Sequence, residues 1–263
     1  MTSSICGPQT PAVFVNLDDV ADQGRTTRPP TDVDRLRSVQ AQVREAAVAA
    51  GRESGSVRLM LATKTIEPDR ILALIAAGQR LIGENRVQEV VAKAAALAGS
   101  GHECHLIGHL QGNKINQVLP YVTCVQSVDS AALGTRLNSR IASLERTLDV
   151  LVQVNVSGES TKSGVEPAAV PALLAELAPL SALRVRGYMT IGLRSADLGA
   201  VRAGYRTLAG LRDRALTVGM PGAEHAVELS MGMSGDFAEA IAEGATIVRV
   251  GSAVFGPRAP VNG

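Results

Sequence analysis

Apolar positions along this chain follow two alternating periods. Val33, Leu36, Val39, Val43 and Ala47 keep helical spacing, with Thr31-Asp32 as an N-cap and a stop near Gly51. Beyond it, short apolar runs at 57–63, 80–83, 105–107, 122–127, 149–156, 184–190, 226–229 and 246–250 read as strands. Longer amphipathic stretches lie between them, at 68–77, 87–98, 113–119, 131–146, 167–178, 198–218 and 236–243. Strand and helix in regular alternation mean parallel pairing through right-handed crossovers. The expected fold is therefore α/β, a single (β/α)₈ TIM barrel, with an open doubly wound sheet as its rival. No Gly-x-Gly-x-x-Gly follows the first strand, which weighs against a dinucleotide fold. Residues 1–30, rich in Ser, Thr, Pro and Gly, read as a loosely docked extension, and 31–263 as the barrel domain.

Composition removes several function classes. Three Tyr, three Phe and no Trp leave little to stack on nucleic-acid bases, and a formal charge of +1 gives no basic field for nucleic acid or membrane. Cys6, Cys104 and Cys124 have no metal-ligand or disulfide spacing. His105 and His109 flank a strand and a glycine without an HExxH setting, so no metal is expected. Glu84 and Glu89 read as a cap and a helix-face charge. The first residues lack a signal-peptide pattern, and a cytoplasmic, monomeric protein is the expectation.

In a barrel of this kind, chemistry sits on the loops after the strands. Two of these loops, Ser234-Gly235 after the seventh strand and Gly251-Ser252 after the eighth, hold the small residues of a phosphate cradle. Lys64 follows the first strand, where desolvation would leave its amine nucleophilic toward an aldehyde. A phosphate cradle facing a Schiff-base lysine suits either pyridoxal 5'-phosphate (PLP) or a phosphosugar aldolase. Arg249 favours PLP, because an Arg or Asp commonly partners the pyridine nitrogen.

Seven ordered blocks carry a resemblance over roughly residues 31–258. They are Ala62-Thr63-Lys64-Thr65, the run from Gly83-Glu84-Asn85 to Glu89, the run from His105 to Lys114, Gln153-Val154-Asn155-Val156, Lys162-Ser163-Gly164, the run from Leu229 to Asp236, and the run from Arg249 to Gly256. These resemble the pyridoxal phosphate homeostasis proteins, whose barrel is similar to the N-terminal domain of alanine racemase. The resemblance implies Lys64 as the Schiff-base lysine, Arg249 at the pyridine nitrogen, and Ser234, Gly235, Gly251 and Ser252 around the phosphate. It also implies Asn85, His109 and Met189 near the ring, with no catalytic residues. Thr63 stands where the family often has Ser, and Leu81-Ile82 where an aromatic is usual.

The implied function is PLP storage, buffering or delivery, with PLP itself and apo PLP-dependent enzymes as partners. The alternative is a monomeric racemase-like PLP enzyme. A racemase needs a base on each face of the α-carbon, and its opposing tyrosine comes from a second domain that this length does not supply.

Overall fold

The structure, a computed structural model, describes residues 29–159 and 162–256. The extension read at residues 1–30 lies outside the described residues except for Pro29 and Pro30. Helix α1 (Asp32–Ala49) opens with a reciprocal cap: the Thr31 hydroxyl accepts from the Asp34 amide, and the Thr31 amide donates to the Asp34 carboxylate.

Eight strands follow: β1 (Arg58–Ala62), β2 (Leu81–Glu84), β3 (Glu103–Leu106), β4 (Cys124–Val128), β5 (Leu148–Gln153), β6 (Leu183–Met189), β7 (Glu228–Ser230) and β8 (Ile247–Val250). Each pairs in parallel with the next, and β8 returns to β1 with Leu61 opposite Val250, so the barrel is closed. This excludes the open sheet. The intervening helices are α2 (Pro68–Ala76), α3 (Val87–Leu97), α4 (Ile115–Val118), α5 (Ala131–Ala142), α6 (Val170–Leu177), α7 (Leu198–Thr217) and α8 (Phe237–Ala242), and α9 (Ser252–Phe255) follows β8.

Strand alternation divides the interior into two cores. Outward-facing Leu61, Ile82, Leu106, Val125, Val150, Val152, Tyr188, Leu229 and Val248 pack under the helices. The lumen is filled separately, by Met60, Leu81 and Ile247 on one side and by Cys124, Leu151 and Met189 on the other. Gly83 faces that lumen, where an added Cβ would sit 2.6 Å from the Met60 sulfur. Helix α1 packs against α8 and α9, and Arg70 reaches from α2 to Asp32 and to the Phe255 carbonyl. The first and last described elements are thereby fastened together across the β1–β8 seam.

Element ends differ from the sequence reading for local reasons. The stretch 113–119 is a 3₁₀ turn (Gly112–Lys114) leading into α4, and 167–178 is a 3₁₀ turn (Pro167–Ala169) leading into α6. Pro171 supplies no N–H to continue a helix from the preceding turn. The fifth apolar run ends as a strand at Gln153, because Val154 instead bridges Val165 in the loop beyond. Helix α9 is too short to show a period.

Candidate functional site

Strand β1 delivers Lys64 to the mouth of the barrel. Thr63 is buried, with its amide donating to the Gly83 carbonyl and its hydroxyl to Glu84 Oε1, at 3.0 and 2.7 Å. Thr65 takes a left-handed φ of 61° and the Ile66 amide bonds back to the Thr63 carbonyl, so the chain turns sharply around a half-buried Lys64. The neighbouring loop after β8 is close: a Cβ on Gly251 would lie 3.2 Å from the Ala62 carbonyl oxygen.

The loops after β7 and β8 are tied to each other. The Gly251 amide donates to Ser234 Oγ at 3.3 Å. Asp236 shapes the first of these loops by accepting from the Met233 amide at 2.6 Å and from the Tyr205 hydroxyl at 2.8 Å. Gly232 is needed in this turn, since its φ is 87° and an added Cβ would meet the Ala240 Cβ at 2.5 Å. Gly235 and Ser252 are exposed, and nothing lies within 4 Å of a Cβ placed on Gly235. The helix expected at Asp236 starts at Phe237, with Asp236 as its N-cap, and runs only six residues; α9 has four. What these loops offer an anion is therefore exposed backbone and two hydroxyls rather than long helix dipoles.

Arg249 is the distinctive group of the lumen. It is 6% exposed, yet among the described residues it has no ion pair. Its guanidinium donates to Ser230 Oγ at 2.8 Å and to the Thr190 carbonyl at 2.6 Å, both neutral acceptors. Burial pulls its pKa down to about 10. A buried guanidinium with donors to spare, on which the Asp236 carboxylate acts only through space, is suited to a ligand that brings an acceptor.

Glu84 and Lys93 form the opposite case, on the outer side of the wall. Lys93 Nζ donates to Glu84 Oε1 and to the Thr63 carbonyl, both at 2.7 Å. Glu84 is 1% exposed, and burial, followed by the Glu89 carboxyl, pushes its pKa up to about 7. Among the described residues the second oxygens of both glutamates, Oε2 in each, find no hydrogen-bond partner. Glu84 is thus no helix cap: it braces the strand ends that carry Lys64 and Asn85.

Asn85 and His109 line one cavity, of about 520 Å³, between the loops after β2 and β3, together with Arg86, Gln111 and Lys114. A second, of about 390 Å³, opens beside Arg58 and Glu103 at the other end of the barrel. Cavity size alone does not choose between the two ends; the convergence of polar groups at the strand C-termini does. Met189 is buried with Cys124 and Leu151 in the lumen, and its register partners are Gln153 and Ser230. Among the described residues no cluster of His, Cys, Asp and Glu could hold a metal ion. Cys104 and Cys124 are free and buried, with their thiol pKa values raised by that burial.

Gln126 in the lumen and Lys93 outside the wall were not singled out from sequence, whereas Thr190 and Ser230 were read there only as polar residues at strand ends. Gln126 and Ser230 carried a usable signal, as polar residues at or beside apolar strand runs, where an unpaired polar group is costly. His105, considered for metal, instead accepts a place beside Gln126, with 2.8 Å between its Nδ1 and Gln126 Nε2.

Known proteins match this chain in sequence and in fold. The family described as alanine racemase, N-terminal domain, matches residues 35–259. A pyridoxal phosphate homeostasis protein of Aquifex aeolicus is 39% identical over 228 residues, covering 86% of this chain and 97% of that one. One from Pseudomonas aeruginosa is 40% identical over 228 residues, covering 87% and 96%. PipY of Synechococcus elongatus, solved with PLP bound, superposes with a TM-score of 0.75 at 32% identity, covering 86% of this chain and all of that one. Among the described residues no helix is long and apolar enough to cross a membrane.

Proposed function

The chain belongs to the alanine racemase N-terminal domain family and, within it, to the pyridoxal phosphate homeostasis proteins, and we propose that it binds PLP at the barrel mouth and stores, buffers or delivers it. The observation that carries this reading is Arg249: a buried cation held only by neutral groups, beneath a mouth that also presents Lys64 and the linked Ser234–Gly251 loops. PLP brings an aldehyde for a lysine amine, a ring nitrogen that can accept a hydrogen bond, and a phosphate.

The residues divide these tasks. Lys64 supplies the amine that holds the aldehyde. Arg249 donates to the ring nitrogen and, being a donor that keeps its proton, leaves that nitrogen unprotonated. Ser234, Gly235, Gly251 and Ser252 take the phosphate, while Asn85 and His109 stand at the ring's open side and Met189 beneath it. The binding unit is residues 31–263.

Non-catalytic handling is favoured over racemisation by where the tyrosines sit. The chain has three. Tyr188 is buried in the outer core, Tyr205 is committed to Asp236, and Tyr121 precedes β4 at the far end of the barrel. None is placed as a base opposite Lys64. Mixing the loaded protein with an apo PLP enzyme should restore that enzyme's activity faster than spontaneous release allows. Exchange of the α-proton of alanine for deuterium over many turnovers, lost in Lys64→Ala, would overturn the reading in favour of a racemase-like enzyme.

A further inference from the structure

The lumen below the mouth contains an unbroken hydrogen-bonded chain. Gln126 and Ser230 are fully buried and His105 is nearly so. Ser230 Oγ lies 2.7 Å from Gln126 Oε1, and Gln126 Nε2 lies 2.8 Å from His105 Nδ1. His105 Nε2 in turn faces Glu103 Oε2 at 3.8 Å, and Arg58 holds the same carboxylate oxygen at 2.7 Å. With Arg249 on Ser230, the chain crosses the barrel from β8 through β7 and β4 to β3.

Its links run in one direction. A guanidinium can only donate, so Ser230 Oγ must accept from Arg249. Serine has one hydroxyl hydrogen, and in this arrangement Ser230 gives it to Gln126 Oε1. The oxygen of Gln126 faces Ser230, which leaves its amide nitrogen to donate to His105 Nδ1. His105 consequently carries its ring proton on Nε2, toward Glu103. In this arrangement each buried polar group of the chain has a partner of the opposite kind.

We infer that Ser230 and Gln126, backed by His105, are positioning residues for Arg249: they fix its guanidinium so that its remaining donors meet the ring nitrogen of the bound cofactor. This rests on the PLP reading given above. Thr190 supplies only a backbone carbonyl, so it anchors one nitrogen without setting the chain's polarity. Among the described residues Ser230 is the one side chain that hydrogen-bonds Arg249, and Gln126 orients its hydroxyl by accepting its hydrogen. Neither has a place in holding the aldehyde or the phosphate.

The test uses the full chain and PLP or pyridoxal labelled with ¹⁵N in the ring. In the wild type the ring-nitrogen resonance should move away from its free value on binding. Ser230→Ala and Gln126→Met should each return it part of the way and weaken pyridoxal binding by roughly ten-fold. Ser230→Thr, which keeps the hydroxyl, should restore both readings. Thermal unfolding of each ligand-free variant separates loss of the contact from loss of the fold, and Gln126→Met tests the relay at a second link should Ser230→Ala fail to fold. Variants that bind and match the shifted resonance of the wild type would overturn the relay alone. A wild type whose addition leaves the ring resonance at its free value would remove the cofactor reading and the relay with it.

Discussion

Two cations are buried in this barrel, and they are buried on opposite terms. Lys93, outside the wall, meets Glu84 at 2.7 Å, so its charge is answered within the protein. Arg249, inside the lumen, hydrogen-bonds among the described residues only a serine hydroxyl and a peptide carbonyl, with Asp236 acting on it through space. In a buried pair each charge answers the other, and loss of one partner is felt as stability. A buried cation satisfied by neutral acceptors keeps interaction capacity in reserve, and its loss should be felt mainly as binding. The difference separates the part of the mouth that braces from the part that recognises.

The contrast breaks most visibly at Lys93. Replacing it in Lys93→Met leaves the Glu84 carboxyl buried without its cation, and should cost about 3 kcal/mol of unfolding free energy near pH 8. Because burial and Glu89 raise the Glu84 pKa from 4.5 to about 7, the folded state takes up its proton more readily than the unfolded state. The stabilisation from that protonation is full below the unfolded value and is lost as pH rises through about 7, a change of about 3 kcal/mol in the wild type. In Lys93→Met the penalty should therefore shrink toward about pH 5, where Glu84 is protonated. Denaturant titrations at both pH values check this. An equal loss at the two would show that Lys93 contributes packing rather than charge.

Arg249→Met should do the reverse. Removing a buried charge that has no ion-pair partner should alter the stability of the ligand-free protein by about 1 kcal/mol or less, while weakening pyridoxal by about 2 kcal/mol, or roughly thirty-fold. A stability loss as large as that of Lys93→Met, with affinity unchanged, would erase the distinction between the two regions.

These regions were unequally legible in sequence. The eight-stranded alternation, Lys64, Arg249 and the loops after β7 and β8 could all be read from period and position, because a closed barrel sends every strand end to one mouth. The Lys93–Glu84 brace could not. Lys93 lies on a helix whose period shows which face is buried but not that a lysine reaches through it, and the pairing depends on the placement of α3 over β2. The chain from Arg249 to His105 was hidden for a similar reason. Its members come from β8, β7, β4 and β3, and only barrel closure brings 249 beside 230 and 230 beside 126.

The phosphate loops sharpen the comparison at a smaller scale. Ser234→Ala combined with Ser252→Ala should weaken PLP by about 1.5 kcal/mol, roughly ten-fold, and leave pyridoxal, which lacks the phosphate, nearly unchanged. Calorimetric titration of both ligands separates the cases. Equal losses would assign Ser234 to its bond with the Gly251 amide and to holding the two loops together.

The central claim is that Lys64 holds the cofactor, and borohydride reduction tests it most directly. The protein is loaded with PLP, reduced, digested and mapped by mass spectrometry. The account predicts one principal pyridoxyl adduct, on Lys64, accompanied by loss of the visible absorption band. A principal adduct on Lys114 in the cavity beside His109, or on Lys162, which bonds Glu159 and the Gly192 carbonyl, would contradict it.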